Sequence, residues 1–196
     1  MKVVLATHNQ GKVEELRAIL QPQVPGLELV GYDGPSPVED GLSFLENAMI
    51  KAKAAFLHTG LPSIADDSGV AVEVLGGSPG IFTAVWSGTR DNAANRQLLL
   101  AQLADIAPEH RAAAFVCTLA LVGPNGEASF TGIWSGKIAT EERGTNGHGY
   151  DSVFIPEGFE LTAAELEPEI KNAYSHRSQA LAQLSAFLVA QGLEQL

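Results

Sequence analysis

Two hydrophobic periods take turns along this chain. Lys2 to Ala6 is short, apolar and β-branched, the pattern of a buried strand. Val13, Leu16, Ile19 and Leu20 then recur at helical spacing, and the helix they predict is entered through the polar stretch Thr7-His8-Asn9-Gln10-Gly11-Lys12. Leu27 to Gly31 predicts a second strand, and Gly34-Pro35-Ser36-Pro37 a loop. A long helix is predicted over 42–57. Phe44, Ala48 and Ala55 lie on one side of it, with Leu45, Met49 and Ala52 beside them, and Ser43 and Glu46 form a capping box. Asn47 and Lys51 are four apart and share a face. Ser63-Ile64-Ala65-Asp66-Asp67-Ser68-Gly69, backed by Val70-Ala71-Val72, reads as a short strand whose end presents two acids, a hydroxyl and a glycine. An acidic turn between two strands is the other reading of the same residues.

Gly76 to Gly80 predicts a tight turn, and 90–104 a second amphipathic helix with Leu98, Leu99 and Leu103 inward. Two strands, 111–122 and 128–138, flank Gly123-Pro124-Asn125-Gly126, where Asn-Gly signals a hairpin and so an antiparallel pair. A loop over 141–149 leads to a short strand over 150–155. A brief helical turn over 162–166 ends at Pro168. The last helix runs from about Tyr174 to Ala190 with Ala180, Leu181, Leu184, Phe187 and Leu188 on its apolar side. No repeat or low-complexity linker divides residues 1–196. The pattern predicts one α/β domain of two dependent lobes around a mixed sheet.

Composition narrows the function. The chain has 196 residues, 45% hydrophobic and 18% charged, as in soluble globular proteins. Its formal charge of −11 argues against a nucleic acid polymer, which requires clustered Lys and Arg, but not against a single nucleotide. No apolar run approaches the roughly 20 residues that cross a bilayer, and the start is too short an apolar stretch for a signal peptide. The one cysteine, Cys117, lies in an apolar run and fits a core position in a reducing cytoplasm. Trp86 and Trp134 are assigned to core or interface.

Strand, glycine-containing loop and helix start together aim backbone N–H groups at an anion, and Lys12 in the first helical turn can add its ammonium. The Walker spacing is absent, and a plain helix start is the alternative. Asp66 and Asp67 point to opposite faces of an extended strand, so one can enter a site while the other supports a neighbour. Glu39 and Asp40 by themselves read as helix-start acids, and His176 by itself as a capping or packed histidine. Yet acids able to hold a hard divalent cation, mixed with lysines and arginine able to hold phosphates, are what a metal–nucleotide site needs.

Six blocks carry a resemblance. They are Thr7-His8-Asn9-Gln10-Gly11-Lys12; Glu39-Asp40-Gly41-Leu42-Ser43-Phe44 with Glu46-Asn47-Ala48; Ala65-Asp66-Asp67-Ser68-Gly69; Pro79-Gly80-Ile81; His148-Gly149-Tyr150-Asp151; and Lys171-Asn172-Ala173-Tyr174-Ser175-His176-Arg177. In this order and spacing, over nearly the whole chain, the sequence resembles the inosine triphosphate pyrophosphatases, which act on noncanonical purine nucleoside triphosphates. The resemblance implies a homodimeric α/β protein with a long twisted mixed sheet flanked by helices and a central nucleotide cleft between two lobes. It implies Mg²⁺-dependent hydrolysis of ITP, dITP and XTP to the monophosphate and pyrophosphate. It also assigns Thr7, Asn9 and Lys12, with His8, Gln10 and Gly11 in the same block, to the triphosphate loop. Glu39 and Asp67 resemble the acids that place Mg²⁺, with Asp67 also the base for the attacking water. Lys51 and Lys171 resemble phosphate contacts, and Lys171 also resembles a contact to the nucleoside. Ser68, His148, Gly149, Tyr150 and Asp151, and the turn Ser175-His176-Arg177, resemble the nucleoside and base pocket. A donor such as Arg177 or a backbone N–H would pair with the carbonyl at the base's six-position and be left unpaired by adenine.

Two positions depart from the family pattern: His148 stands where phenylalanine is usual, and Ser152 where proline is usual. Imidazole stacks with less area and adds a titratable group, and serine leaves the turn less rigid. Two rival readings remain from the residues. One is a Maf-like pyrophosphatase of pyrimidine or modified triphosphates, against which Ser175-His176-Arg177 speaks. The other is a non-catalytic nucleotide-binding protein, against which Lys12, Glu39 and Asp67 speak.

Overall fold

The computed structural model describes residues 1–8 and 10–191, with backbone alone at Gln10, Gly11 and Glu15, so Asn9 lies outside the described residues. The chain runs β1 (Lys2–Leu5), α1 (Gln10–Gln23), β2 (Glu28–Gly31), α2 (Phe44–Thr59), β3 (Ser63–Val72), α3 (Asn92–Gln102), β4 (Ala112–Gly123), β5 (Gly126–Ile138), β6 (Phe154–Pro156), α4 (Pro168–Tyr174) and α5 (His176–Gln191), with short 3₁₀ turns between. One six-stranded sheet has the order β2-β1-β3-β4-β5-β6. β1 pairs in parallel with both β2 and β3, whereas β5 and β6 are antiparallel, so the sheet is mixed as expected. β4 and β5 neighbour each other across only two residues, a link too short for anything but an antiparallel hairpin. Its central pair is Pro124-Asn125 rather than Asn125-Gly126, and Gly126 already belongs to β5.

Three elements differ from their sequence reading. β3 is ten residues long, with Asp66 and Asp67 inside it rather than at its end. Its neighbours in the sheet are β1, which pairs with it at Ser63 and Ile64, and β4, and the strand keeps Asp-Asp-Ser-Gly extended against that tetrapeptide's own turn preference. The strand expected over 150–155 is a 3₁₀ turn at Asp151–Val153 followed by β6. Pro168 does not end a helix but opens α4, at a first-turn position where the missing N–H costs nothing. Ser175, with φ −61° and ψ 153°, separates α4 from α5, which matches the predicted last helix to within two residues at each end. On α2 the buried residues are Asn47, Ala48, Ala52 and Ala55, while Leu45 is exposed. Only half of the capping box forms there. Ser43 Oγ accepts from the Glu46 N–H, but the Glu46 carboxylate accepts from Leu42 instead of Ser43.

Two compact units share the chain. The first holds Met1–Asp67, Cys117–Thr131 and the residues from Gln179, and the second holds Ser68–Val116 and Gly132–Ser178. The chain therefore passes between them within β3, β4, β5 and the first turn of α5. The first unit's core sets Val3, Leu5 and Ile64 with Leu16 and Leu20 of α1, Cys117 and Leu119 of β4, and Leu181, Leu184 and Leu188 of α5. Each such leucine, fully removed from water, contributes roughly 1.5–3 kcal/mol. The second unit closes around Val70, Leu99, Leu103, Phe115, Trp134 and Phe154. Cys117 is a buried free thiol, and Trp134 is buried as expected. Among the described residues no helix is long and apolar enough to cross a membrane.

Candidate functional site

The predicted residues fall into two groups, one in each unit. In the first unit α2 and β3 do the positioning. Four-residue spacing on α2 turns Asn47 and Lys51 toward the same carboxylate. Lys51 Nζ lies 3.3 Å from Asp67 Oδ1 and 2.7 Å from Glu39 Oε2, and Asn47 Nδ2 lies 3.4 Å from Asp67 Oδ2. Burial pushes the Asp67 carboxyl above the ordinary carboxylate range. The Lys51 charge and the hydrogen bonds from Lys51 and Asn47 pull it back without cancelling the rise, and Glu39 adds to it. Burial alone would lower the Lys51 ammonium, but Asp67, Glu39 and Asp66 outweigh burial and hold it above its ordinary value. These opposite appearances are consistent: one ammonium serves several acids, so the lysine gains more than any one acid does.

Strand alternation sends Asp66 the other way. Its carboxylate takes Lys12 Nζ at 2.8 and 3.1 Å, with the Asp66 side chain nearly buried. Thr7 follows β1, its N–H donating to the Leu5 carbonyl at 2.8 Å. His8 braces the proline-rich loop: Nε2 lies 2.9 Å from the Gly34 carbonyl oxygen, which can only accept, so Nε2 donates, and Nδ1 shares a hydrogen bond with Ser36 Oγ at 3.2 Å. Gln10 and Gly11 begin α1.

The second unit carries the rest. Ser68 lies in β3. In the glycine-rich loop the His148 N–H donates to Asp151 Oδ2 at 2.8 Å, and the same oxygen takes Lys171 Nζ of α4 at 2.6 Å. Gly147 has φ +78°, and a Cβ there would lie against both the Asp151 carboxylate and the Lys171 ammonium. The Tyr150 hydroxyl donates to the Thr83 carbonyl at 3.0 Å, and burial pushes its pKa up to about 12 against the opposing Arg96 charge. Ser175 Oγ accepts from the Ser178 N–H at the start of α5, and the His176 ring stacks on Phe115 with centroids 5.0 Å apart and planes at 14°. Arg177 is half-buried.

Sequence reasoning missed Asp66 as the partner of Lys12, Asn47 as a donor to Asp67, and Arg96 with Glu142. The adjacency of Asp66 to Asp67 and the Asn47–Lys51 spacing were available signals for the first two. Arg96 and Glu142 are 46 residues apart, with no local mark.

A family model described as the Ham1 family matches residues 3–187. The chain belongs to the Ham1 family. A dITP/XTP pyrophosphatase of Leifsonia xyli is 55% identical over 97% of this chain and 96% of that one. One from Streptomyces avermitilis is 50% identical, over 93% and 94%. Among solved structures, a HAM1 protein from Coxiella burnetii superposes with a TM-score of 0.91 at 38% identity, covering 97% of this chain and 99% of its own. A nucleoside-triphosphatase / dITP/XTP pyrophosphatase from Mycobacterium abscessus gives 0.82 at 49% identity, over 94% and 98%. The mixed sheet with flanking helices is thus the Ham1 arrangement.

The acids of this Ham1 chain can be tested for Mg²⁺. Among the described residues no cluster of three metal-type side chains occurs. Glu39 and Asp67 nevertheless approach one cationic atom, Lys51 Nζ, from two segments. Two carboxylates sharing one cation's position fit Mg²⁺, which takes one or two carboxylates and completes its shell with water and phosphate oxygens.

Proposed function

We propose that this protein hydrolyses deaminated purine nucleoside triphosphates (ITP, dITP and XTP) to the monophosphate and pyrophosphate, and so clears them from the nucleotide pool. The observation that carries the reading is the Asp67 carboxylate, half-buried on a strand, raised in pKa, and held by Lys51 and Asn47. A carboxylate raised toward neutrality is a better proton acceptor, and one fixed by two donors is aimed. Asp67 takes the proton of the attacking water as the water oxygen bonds to phosphorus and the α–β anhydride bond breaks. Lys12 and Lys51 supply positive charge to the phosphates, exchanging carboxylate partners for phosphate oxygens. Glu39 and Asp67 would hold Mg²⁺, which when bound stabilises the charge developing on the leaving pyrophosphate. The glycine-rich loop at His148–Asp151, Lys171 and the Ser175–Arg177 turn serve the nucleoside, where Arg177 or a backbone N–H favours a six-position carbonyl. The enzyme works in the cytoplasm as a homodimer.

The test is ³¹P NMR of the purified protein with Mg²⁺ and ITP, GTP, ATP or UTP in separate tubes, repeated with Asp67→Asn. IMP plus pyrophosphate from ITP alone, lowered about 10³-fold in the variant as loss of a general base does, is the expected result. Orthophosphate as the first product would make it a phosphatase. UTP turnover would favour the Maf-like reading, and binding without turnover the non-catalytic one.

A further inference from the structure

The loop over residues 141–149 should be loose. Gly144, Gly147 and Gly149 have φ of +80°, +78° and +62°, and glycines lose more conformational freedom on ordering than other residues. Its N-terminal half is tied down: the Arg143 N–H donates to the Ser152 carbonyl at 2.8 Å, Thr162 Oγ1 to the Arg143 carbonyl at 2.8 Å, and the Asn146 N–H to the Ala164 carbonyl at 3.0 Å. Around Gly149, beside the His148–Asp151–Lys171 and Tyr150–Thr83 hydrogen bonds, one side chain of α3 adds a tie to the backbone itself. Arg96 Nη1 donates to the Gly149 carbonyl at 2.8 Å, while its Nε donates to Glu142 Oε2, also at 2.8 Å. The same Glu142 oxygen accepts from Ser152 Oγ at 3.2 Å. Arg96 thus spans the loop from its start to its end, with Ser152 closing the far side. These residues line a concavity of about 260 Å³ together with Gly147, His148 and Asp151.

We infer that Arg96 is a positioning residue. Its guanidinium fork, locked by Glu142 and Ser152, fixes Gly149 and so sets where His148, Tyr150 and Asp151 present themselves to the nucleoside. This rests on the reading that the loop serves the nucleoside. The fork matters because its two donors leave one plane in fixed directions, so one contact orients the other. A lysine offers a single charged point and cannot hold the carboxylate and the carbonyl with the same geometry. The inference gives Arg96 no part in the chemistry, which stays with Asp67 and Lys51, held by Glu39 and Asn47.

The experiment compares wild type, Arg96→Lys and Glu142→Gln in two measurements. One is steady-state pyrophosphate release from ITP with Mg²⁺, and the other is hydrogen exchange of peptides covering 142–152 without nucleotide. For Arg96→Lys the expected result is a KM raised about tenfold, kcat within about twofold, and loop amides exchanging about tenfold faster while β4 and β5 keep their protection. Glu142→Gln, which keeps Arg96 and an oxygen acceptor for its Nε, should stay close to wild type in both. Unchanged KM and unchanged loop exchange in Arg96→Lys would overturn the inference. So would kcat falling as steeply as kcat/KM, or protection lost throughout the second unit. If wild type itself releases no pyrophosphate, the proposed function fails, and the exchange measurement still decides whether Arg96 holds the loop.

Discussion

At the scale of the residue, Asp67 shows that a site can be built against stability. Its pKa is raised because burial disfavours the charged form more than Lys51 and Asn47 favour it. The folded state therefore binds a proton at Asp67 more tightly than the unfolded chain does. The stability this supplies is full in acid, below the ordinary carboxylate value, and is lost as pH rises through the raised one. Near neutrality the ionised carboxylate is a net cost. Asp67→Asn removes the charge and keeps the shape, so the variant should melt above wild type near neutral pH, in the absence of divalent cation. The two melting curves should converge on acidification. Scanning calorimetry of both proteins over that range checks it. A variant that melts below wild type at neutral pH would mean that the Lys51 attraction outweighs burial.

At the scale of the element, the loop before β6 is organised by a missing side chain. Gly147 sits at φ +78°, where any other residue is strained, and a Cβ would press on the Asp151–Lys171 pair. Gly147→Ala should weaken ITP binding about tenfold, on the order of 1.4 kcal/mol, and lower the melting temperature. The Lys51–Asp67 contact would be untouched. Calorimetric titration with a non-hydrolysable ITP analogue measures the first effect, and unchanged affinity would show that Asp151 and Lys171 need not stay paired. None of this was visible in sequence beyond the block His148-Gly149-Tyr150-Asp151. The legible features were local: the helical spacing of α1, the Ser43 cap of α2, the β4–β5 hairpin and the shared face of Asn47 and Lys51. The illegible ones depended on partners far along the chain. β3 runs well past its pairing with β1 at Ser63 and Ile64, with β4 as its other neighbour in the sheet, and Lys12 meets Asp66 across 54 residues. Pro168 misled because a proline that ends one helix and one that begins another differ only in the conformation of the residues after them.

At the scale of the molecule, the acidity and the proposed anionic substrate have to be reconciled. The chain carries 23 acids against 12 lysines and arginines. The lysines assigned to nucleotide contact already lie on carboxylates: Lys12 on Asp66, Lys51 on Glu39 and Asp67, Lys171 on Asp151. Such cations are held in place before substrate arrives, and binding swaps partners rather than gathering loose chains, which limits the entropy lost. The surplus acids act differently. They repel a triphosphate over long range, whereas the local contacts act within a few ångströms. Monovalent salt discriminates between the two, because the screening length is about 10 Å at 0.1 M and close, partly buried pairs are screened much less. Raising salt from about 0.01 M to 0.15 M should therefore leave kcat/KM for Mg²⁺–ITP level or raise it modestly. Stopped-flow pyrophosphate release across that series is the measurement. A steep fall, as seen when clustered lysines and arginines bind nucleic acid, would mean that exposed cations dominate capture and that the paired lysines do not govern affinity.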